Sequence, residues 1–301
     1  MNGYFPALGL GAADAFDRCA ATVQRYREIS YTRRNQRLAV NPFALPLNDT
    51  YLWRCDQPAP VDVPLETARG WLAAGVAVHA PVRGSVYGTL LNDRRALQAL
   101  GDAVHQPPYK APPQAPVLYI KPRNTLCAHG TRVVVPAGVE GLLAGAALGA
   151  VIGTTACRVR EQDALACVAG YVIVNDLTVP HDSFYRPALP FRVRDHSCPM
   201  GPWIRAARLL PDPDDVTLSV YVDGIRQQQA STAGFIRPLG RLLQDITAFM
   251  TLVPGDVLLT GVPAEAPLVR AGQSVAIEIA GLGRLENHLI PESPSFTGNK
   301  P

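Results

Sequence analysis

From residue 82 to about residue 291 the sequence predicts a β-rich α+β domain with a few flanking helices. Three observations carry that expectation. Short β-branched runs recur through the span, separated by Gly, Pro and Asp, as in chains built from many short strands. Val216, Leu218, Val220 and Val222 alternate with polar residues and run into Asp223-Gly224, a pair that tolerates the left-handed dihedrals of a two-residue hairpin turn. Leu239, Leu242, Leu243, Ile246, Phe249 and Met250 repeat at helical spacing, which marks one helix with an apolar stripe turned to the core.

Taken in order, residues 12–29 suit an amphipathic helix with Phe16, Ala20 and Val23 on one face and Asp14 near its start. Pro42, Pro46, Pro58, Pro60 and Pro64 then punctuate a connecting region, and a short helical stretch follows at about 65–74. The change of texture places a boundary near residue 80, which leaves 1–80 as an N-terminal extension or small domain, 81–291 as the main domain and 292–301 as a disordered tail rich in Pro and Ser. Val86–Leu91, Val117–Lys121, Arg132–Val135 and Ala147–Ile152 are expected strands. Arg160–Val168 is an expected helix ended by Gly170, before a buried strand Tyr171–Leu177 that delivers Asn175 and Asp176 to its end. Beyond the hairpin Val216–Val222 and Ile225–Ala230, a helix is expected over 238–252. Pro254-Gly255-Asp256 and Gly201-Pro202 read as turns. Strands at Val257–Thr260, 275–280 and 284–290 complete the domain.

Bulk composition narrows the function classes. With 301 residues, 48% of them hydrophobic, the chain can bury a large core and is not a disordered polymer. Its longest apolar run, Leu142 to Gly153, falls short of the ~18–20 residues of a membrane span. Asp14, Asp17 and Glu28 argue against an acid-poor transit peptide, so a cytoplasmic location is expected. Cys19, Cys55, Cys127, Cys157, Cys167 and Cys198 have neither zinc nor disulfide spacing and read as reduced thiols in a core. Arg25, Arg27, Arg33, Arg34 and Arg37 surround Tyr26 and Tyr31. No nucleic-acid motif accompanies them, so they read as a solvated helix end rather than a nucleic-acid surface.

Several segments together resemble the fumarylacetoacetate hydrolase superfamily: Tyr109-Lys110-Ala111-Pro112-Pro113, Tyr119 to Thr125, Ala169-Gly170-Tyr171, Asn175-Asp176, Ser183-Phe184-Tyr185-Arg186-Pro187 and Pro254-Gly255-Asp256. The likeness covers about 82–291. Within the superfamily the Tyr-Lys-Ala-Pro-Pro and Ser-Phe-Tyr-Arg-Pro segments are most similar to the amino-terminal half, or separate first subunit, of the isomerase/decarboxylase of 4-hydroxyphenylacetate (homoprotocatechuate) breakdown. The resemblance implies a mixed β-sandwich or β-roll, an oligomer, and action on 5-oxopent-3-ene-1,2,5-tricarboxylate and 2-hydroxyhepta-2,4-diene-1,7-dioate. It also implies a Mg²⁺ or Mn²⁺ held by two glutamates and the Asp of Asn-Asp, because a 2-oxo or enol acid chelates such a cation as an enolate forms.

This sequence departs from that pattern where the metal should sit. Gly145 and Ala147 occupy the glutamate positions, so Asp176 alone remains and a metal is doubtful. Arg192 stands at the family's catalytic Lys, Val262 replaces a Thr, and Ala96 and Ala99 hold the places of a His and a Glu. Two expectations follow. In one, Lys121, Arg123, Tyr185, Arg186 and Arg194 hold a polycarboxylate while Asp176, Arg192, His181, Asp182, Asp195 or His196 serve a metal-free proton transfer. In the other, the chain is an inactive partner packed against a metal-bearing sister subunit; the expected assembly is a homo-oligomer or a hetero-oligomer with such a sister. Each residue keeps an ordinary structural alternative. Asp176 can be a turn carboxylate held by backbone N–H groups, His181 and His196 caps, Arg186 and Arg194 partners of Asp182 and Asp195, and Tyr185 and Trp203 core aromatics.

Overall fold

The structure is a computed structural model, and it describes residues 47–181 and 189–293. Along the chain it begins with β1 (Thr50–Leu52), β2 (Val61–Val63), α1 (Leu65–Ala73), β3 (Val86–Leu90) and α2 (Arg94–Ala99). The middle holds β4 (Val117–Lys121), β5 (Leu126–Cys127), β6 (Arg132–Val135), β7 (Leu142–Leu143), β8 (Ala146–Ile152), α3 (Glu161–Ala164) and β9 (Val168–Asn175). The remainder is α4 (Leu189–Arg192), β10 (Cys198–Ala206), β11 (Thr217–Val222), β12 (Ile225–Ser231), α5 (Leu239–Thr247), β13 (Val257–Leu259), β14 (Leu268–Val269), β15 (Ser274–Ile279) and β16 (Gly283–Pro291).

Two sheets make the body. The larger runs β2-β1-β10-β9-β8-β13-β3-β4, with β5 joined to β10, and the smaller runs β12-β11-β15-β16-β6. Most neighbours are antiparallel, whereas β3 with β13, β5 with β10 and β6 with β16 are parallel. This is the mixed β-rich architecture expected, without closure into a barrel.

The strands β8 and β9 explain the layering. Leu148, Ala150 and Ile152 of β8, with Tyr171 and Ile173 of β9, pack into the core shared with Leu218, Val220, Ile277 and Leu285 of the smaller sheet. The alternate residues Ala147, Val151, Val172 and Val174 are equally buried but look the other way. They face the inside of the larger sheet, which curls over them. A strand buried on both faces loses its alternation and reads as a continuous apolar run. Helix α5 covers one end with Leu239, Leu242, Leu243 and Ile246 fully buried, each contributing about 1.5–3 kcal/mol of apolar burial.

Several expectations are corrected. Residues 50–63 are not separate from the main domain, because β1 pairs with β10 from Thr50↔Arg205 onward and β2 pairs with β1. Leu52, Ala68, Val78 and Trp203 then form a small satellite core across the boundary expected near residue 80. The segment 198–206 is a strand rather than a turn, with Gly201-Pro202 at an irregularity in its pairing to β9. Gly170 does not end a helix: it lies within β9, where an added Cβ would meet the Arg205 carbonyl oxygen at 2.3 Å. Helix α5 stops at Thr247, so Phe249 lies beyond it and is 69% exposed instead of core-facing. Pro291 is the last residue of β16, and the Glu292 carboxylate accepts the Ala137 N–H, so order persists past the expected start of the tail. Cys127 and Cys198 are buried thiols, but Cys55 is exposed. The helix expected at 12–29, the basic cluster around Arg33 and Cys19 lie outside the described residues.

Candidate active site

Strand alternation sets the site. Asp176 follows β9 on the same face as Val172 and Val174, inside the curl, and Tyr119 and Lys121 project to that interior from β4 while Ile120 between them is 56% exposed. In sheet order β4 and β9 are separated by β3, β13 and β8. Four strand spacings amount to roughly 19 Å in a flat sheet, yet the side chains touch, so the sheet must roll. Gly88 makes room for this: it pairs with Tyr119 across β3 and β4, and a Cβ there would lie 2.1 Å from the Tyr119 ring.

The result is a buried ionic cluster. Lys121 Nζ stands 2.5 Å from Asp176 Oδ1, and the Tyr119 hydroxyl donates to Asp176 Oδ2. Arg192 Nη1 is 3.6 Å from the same Oδ2, with its guanidinium 5.1 Å from the centroid of the Tyr119 ring. Asp176 is 2% exposed and Arg192 8%. Burial first, and the Asp176 carboxylate next, push the Tyr119 phenol well above its ordinary value, so it stays protonated and donates. Asp176 is thus held by side chains, not by backbone N–H groups at a turn. Cys198 lies close by, and burial raises its thiol out of the reactive range.

Arg192, Asp176 and Tyr119 open on a cavity of about 350 Å³ that also meets Thr89, Thr178 and His181. The His181 Nδ1–H donates to the Val179 carbonyl, 2.9 Å away, and the ring stacks on Phe191 with centroids 5.5 Å apart. Ala96, Ala99 and Leu100 add apolar surface to the lining, beside Arg95. Asp93 caps α2, its carboxylate accepting the Ala96 N–H, and so fixes how that surface is presented. Leu91 and Glu265, which also line the cavity, both adopt left-handed backbone, φ 56° and 62°. Next to Leu91, Asn92 donates to the Thr260 carbonyl and accepts from the Arg237 N–H.

The structure therefore brings together Asp176, Arg192 and His181 of the residues singled out in sequence. Lys121 joins them but does not line the cavity: its ammonium donates to the Arg192 carbonyl at 2.6 Å and the Leu177 carbonyl at 3.4 Å and forms an ion pair with Asp176 Oδ1. Arg123 is exposed elsewhere. Arg194, Asp195 and His196 gather at a separate surface hollow with Leu189 and Val134, and Asp195 accepts a hydrogen bond from Asn124 instead of pairing with Arg194. Asp182, Tyr185 and Arg186 lie outside the described residues. Tyr119, two residues before Lys121 on the same strand face, was missed as a site residue in sequence.

A divalent metal does not fit these residues. Gly145 sits where a first glutamate is expected, its carbonyl accepting the Asp176 N–H, and a Cβ added there would meet the Asp176 carbonyl oxygen at 2.7 Å. Ala147 is fully buried, and among the described residues no group of three or more His, Cys, Asp or Glu could hold a metal.

Residues 85–290 match the fumarylacetoacetate (FAA) hydrolase C-terminal family. The chain belongs to this family. It is 38% identical over 211 residues to the 4-hydroxyphenylacetate degradation bifunctional isomerase/decarboxylase of Salmonella dublin, an alignment covering 70% of this chain and 48% of that protein. The chain thus spans about half the length of the curated relatives it matches. Its fold is similar to the crystal structure of 2-hydroxyhepta-2,4-diene-1,7-dioate isomerase from Mycobacterium marinum, with a TM-score of 0.65, 25% identity, and coverage of 81% of this chain and 99% of that one. Maleylpyruvate hydrolase from Sphingobium sp. SYK-6, solved with manganese(II) and pyruvate, shares the fold at a TM-score of 0.60 and 24% identity, over 76% of this chain and 83% of that one. Among the described residues no helix is long and apolar enough to cross a membrane.

Proposed function

We propose that this chain is one module of an isomerase/decarboxylase of 4-hydroxyphenylacetate breakdown, and that its cavity binds an unsaturated polycarboxylate. The candidates are 5-oxopent-3-ene-1,2,5-tricarboxylate and 2-hydroxyhepta-2,4-diene-1,7-dioate. The observation that carries this reading is the charge of the buried cluster. Asp176 is compensated by Lys121, so the Arg192 guanidinium at the cavity wall is a surplus positive charge. A substrate carboxylate or enolate oxygen supplies what it lacks, and the planar fork of arginine suits such an oxyanion. The apolar surface of Ala96, Ala99 and Leu100 accepts the hydrocarbon between the charged ends.

The chemistry this arrangement supports is a proton shift. In isomerisation of the dienedioate, one proton leaves the enol oxygen and one is added at the far end of the conjugated system, so atoms and charge balance. Arg192 stabilises the intervening dienolate. His181 is the imidazole on the cavity wall, and it is the side chain we assign to relay that proton. Asp176 is committed to its ion pair with Lys121 and to the hydrogen bond from the Tyr119 hydroxyl.

A second reading is favoured by Ala96 and Ala99, which line the cavity where the family resemblance puts a His and a Glu. In that reading the chain binds ligand without turning it over and packs beside a metal-bearing sister. Ultraviolet absorbance of the conjugated dienedioate separates the two. Turnover by the purified chain that survives chelator and falls at least tenfold in His181→Gln supports the first. Binding without turnover by a folded chain sinks it and supports the second.

A further inference from the structure

We propose that Arg95 is the second carboxylate anchor of the cavity, which makes the site selective for a ligand with a carboxylate at each end. The proposal rests on the reading given above, in which Arg192 receives one end of the ligand. Arg95 and Arg192 are the two arginines of the lining, one from α2 and the other from α4. Neither has a carboxylate to itself. Asp176, beside Arg192, is shared with Lys121. Arg95 is exposed, and among the described residues it forms no ion pair, although Glu265 lines the same cavity.

An exposed arginine is ordinarily a solvated charge on a loosely held stem. The base of α2 removes part of that freedom. Asn92 is 3% exposed: its side chain donates to the Thr260 and Arg237 carbonyls and accepts the Arg237 N–H, and its own carbonyl accepts the Ile236 N–H at 2.6 Å. Asp93, equally buried, bridges to Phe235 and caps the helix through the Ala96 N–H. Arg95 therefore leaves the backbone from a point fixed to the body, and a group held in place before binding loses less freedom on binding. The size of the cavity adds the rest. At about 350 Å³ it lies near the small end of ligand pockets, roughly 300–1,000 Å³, so a heptadienedioate held at Arg192 keeps its far carboxylate at the lining. Against Ala96, Ala99 and Leu100 alone that carboxylate would give up hydration without a partner. Arg95, next to Ala96, supplies one, and its planar fork suits a carboxylate.

Calorimetric titration of the full chain with two ligands tests this. One is 2-hydroxyhepta-2,4-diene-1,7-dioate; the other, 2-hydroxyhexa-2,4-dienoate, keeps the enol acid and lacks the far carboxylate. The wild-type chain should prefer the dioate. Arg95→Met should weaken the dioate roughly tenfold, the equivalent of one charge-assisted hydrogen bond, and leave the monoacid unchanged, whereas Arg192→Met should weaken both. Because the Arg95 side chain is exposed, its variant should melt with the wild type, and a loss confined to the dioate is not a folding effect. An Arg95→Met chain that binds the dioate as the wild type does, or that loses affinity for dioate and monoacid alike, overturns the proposal. Either result leaves the ligand-binding reading standing, because the wild-type chain still binds the dioate. A wild-type chain that binds neither ligand sinks that reading, and the role of Arg95 with it.

Discussion

Replacing Asp176 by Asn keeps the shape of the side chain and removes its charge, which leaves Lys121 and Arg192 buried with no carboxylate between them. Breaking one partner out of a buried ion pair costs about 3–5 kcal/mol, because the remaining charge is left in a poorly solvating interior. For a domain of this size each kcal/mol lowers the melting temperature by roughly 2–4 °C, so a fall of roughly 6–20 °C is expected. The pair can also be removed together. Lys121→Met with Asp176→Leu exchanges the ions for apolar groups of similar volume, and such exchanges are near neutral or stabilising elsewhere. Thermal unfolding followed by circular dichroism should place the double variant well above Asp176→Asn. A single variant within about 2 °C of the wild type, well under that expected fall, would refute the view that these side chains form one coupled buried network.

Three further outcomes follow from the same geometry. Gly88→Ala puts a methyl 2.1 Å from the Tyr119 ring, and urea denaturation should show a loss of at least about 1–3 kcal/mol, as overpacking of a filled core produces. Arg192→Met removes the charge-assisted contact proposed for the ligand, worth about 1.5–3 kcal/mol, so dienedioate affinity should drop roughly tenfold to a hundredfold in a chain that remains folded. Tyr51, Tyr119 and Tyr171 are all raised, chiefly by burial. A phenol whose folded value lies above its unfolded value near 10 keeps its contribution below that pH and loses it as pH climbs toward the folded value. Stability should therefore decline above about pH 10 by up to ~1.4 kcal/mol per pH unit per tyrosine. Tyrosinate absorbance should develop together with unfolding and not before it.

Much of the strand order was legible because short β-branched runs and the Asp223-Gly224 turn are local signals. Val86, Val117, Arg132 and Thr217 each begin, or nearly begin, a strand as expected. Strand β10 was not legible: Pro199, Gly201 and Pro202 fall within its nine residues and disguise it as a turn. The two short strands β1 and β2 lie among prolines and gain their stability from Trp203, a partner about 140 residues away. In the site, the end of β9 was enough to nominate Asp176, since a polar Asn-Asp pair closing a continuous apolar strand is conspicuous. Tyr119 was hidden because its role depends on how far the sheet curls, which Gly88 permits and no local pattern records. Lys121 was nominated for the wrong side of the problem. A lysine beside a predicted anion pocket invites a ligand role, and only the positions of the Leu177 and Arg192 carbonyls show where its protons go.

The most direct test of the account is calorimetric titration of the chelator-treated wild-type chain, and of Arg192→Met, with 2-hydroxyhepta-2,4-diene-1,7-dioate. The account predicts saturable binding at one site without divalent metal, weakened in the variant. Binding that appears only when Mg²⁺ or Mn²⁺ is restored, or that Arg192→Met leaves unchanged, would contradict it.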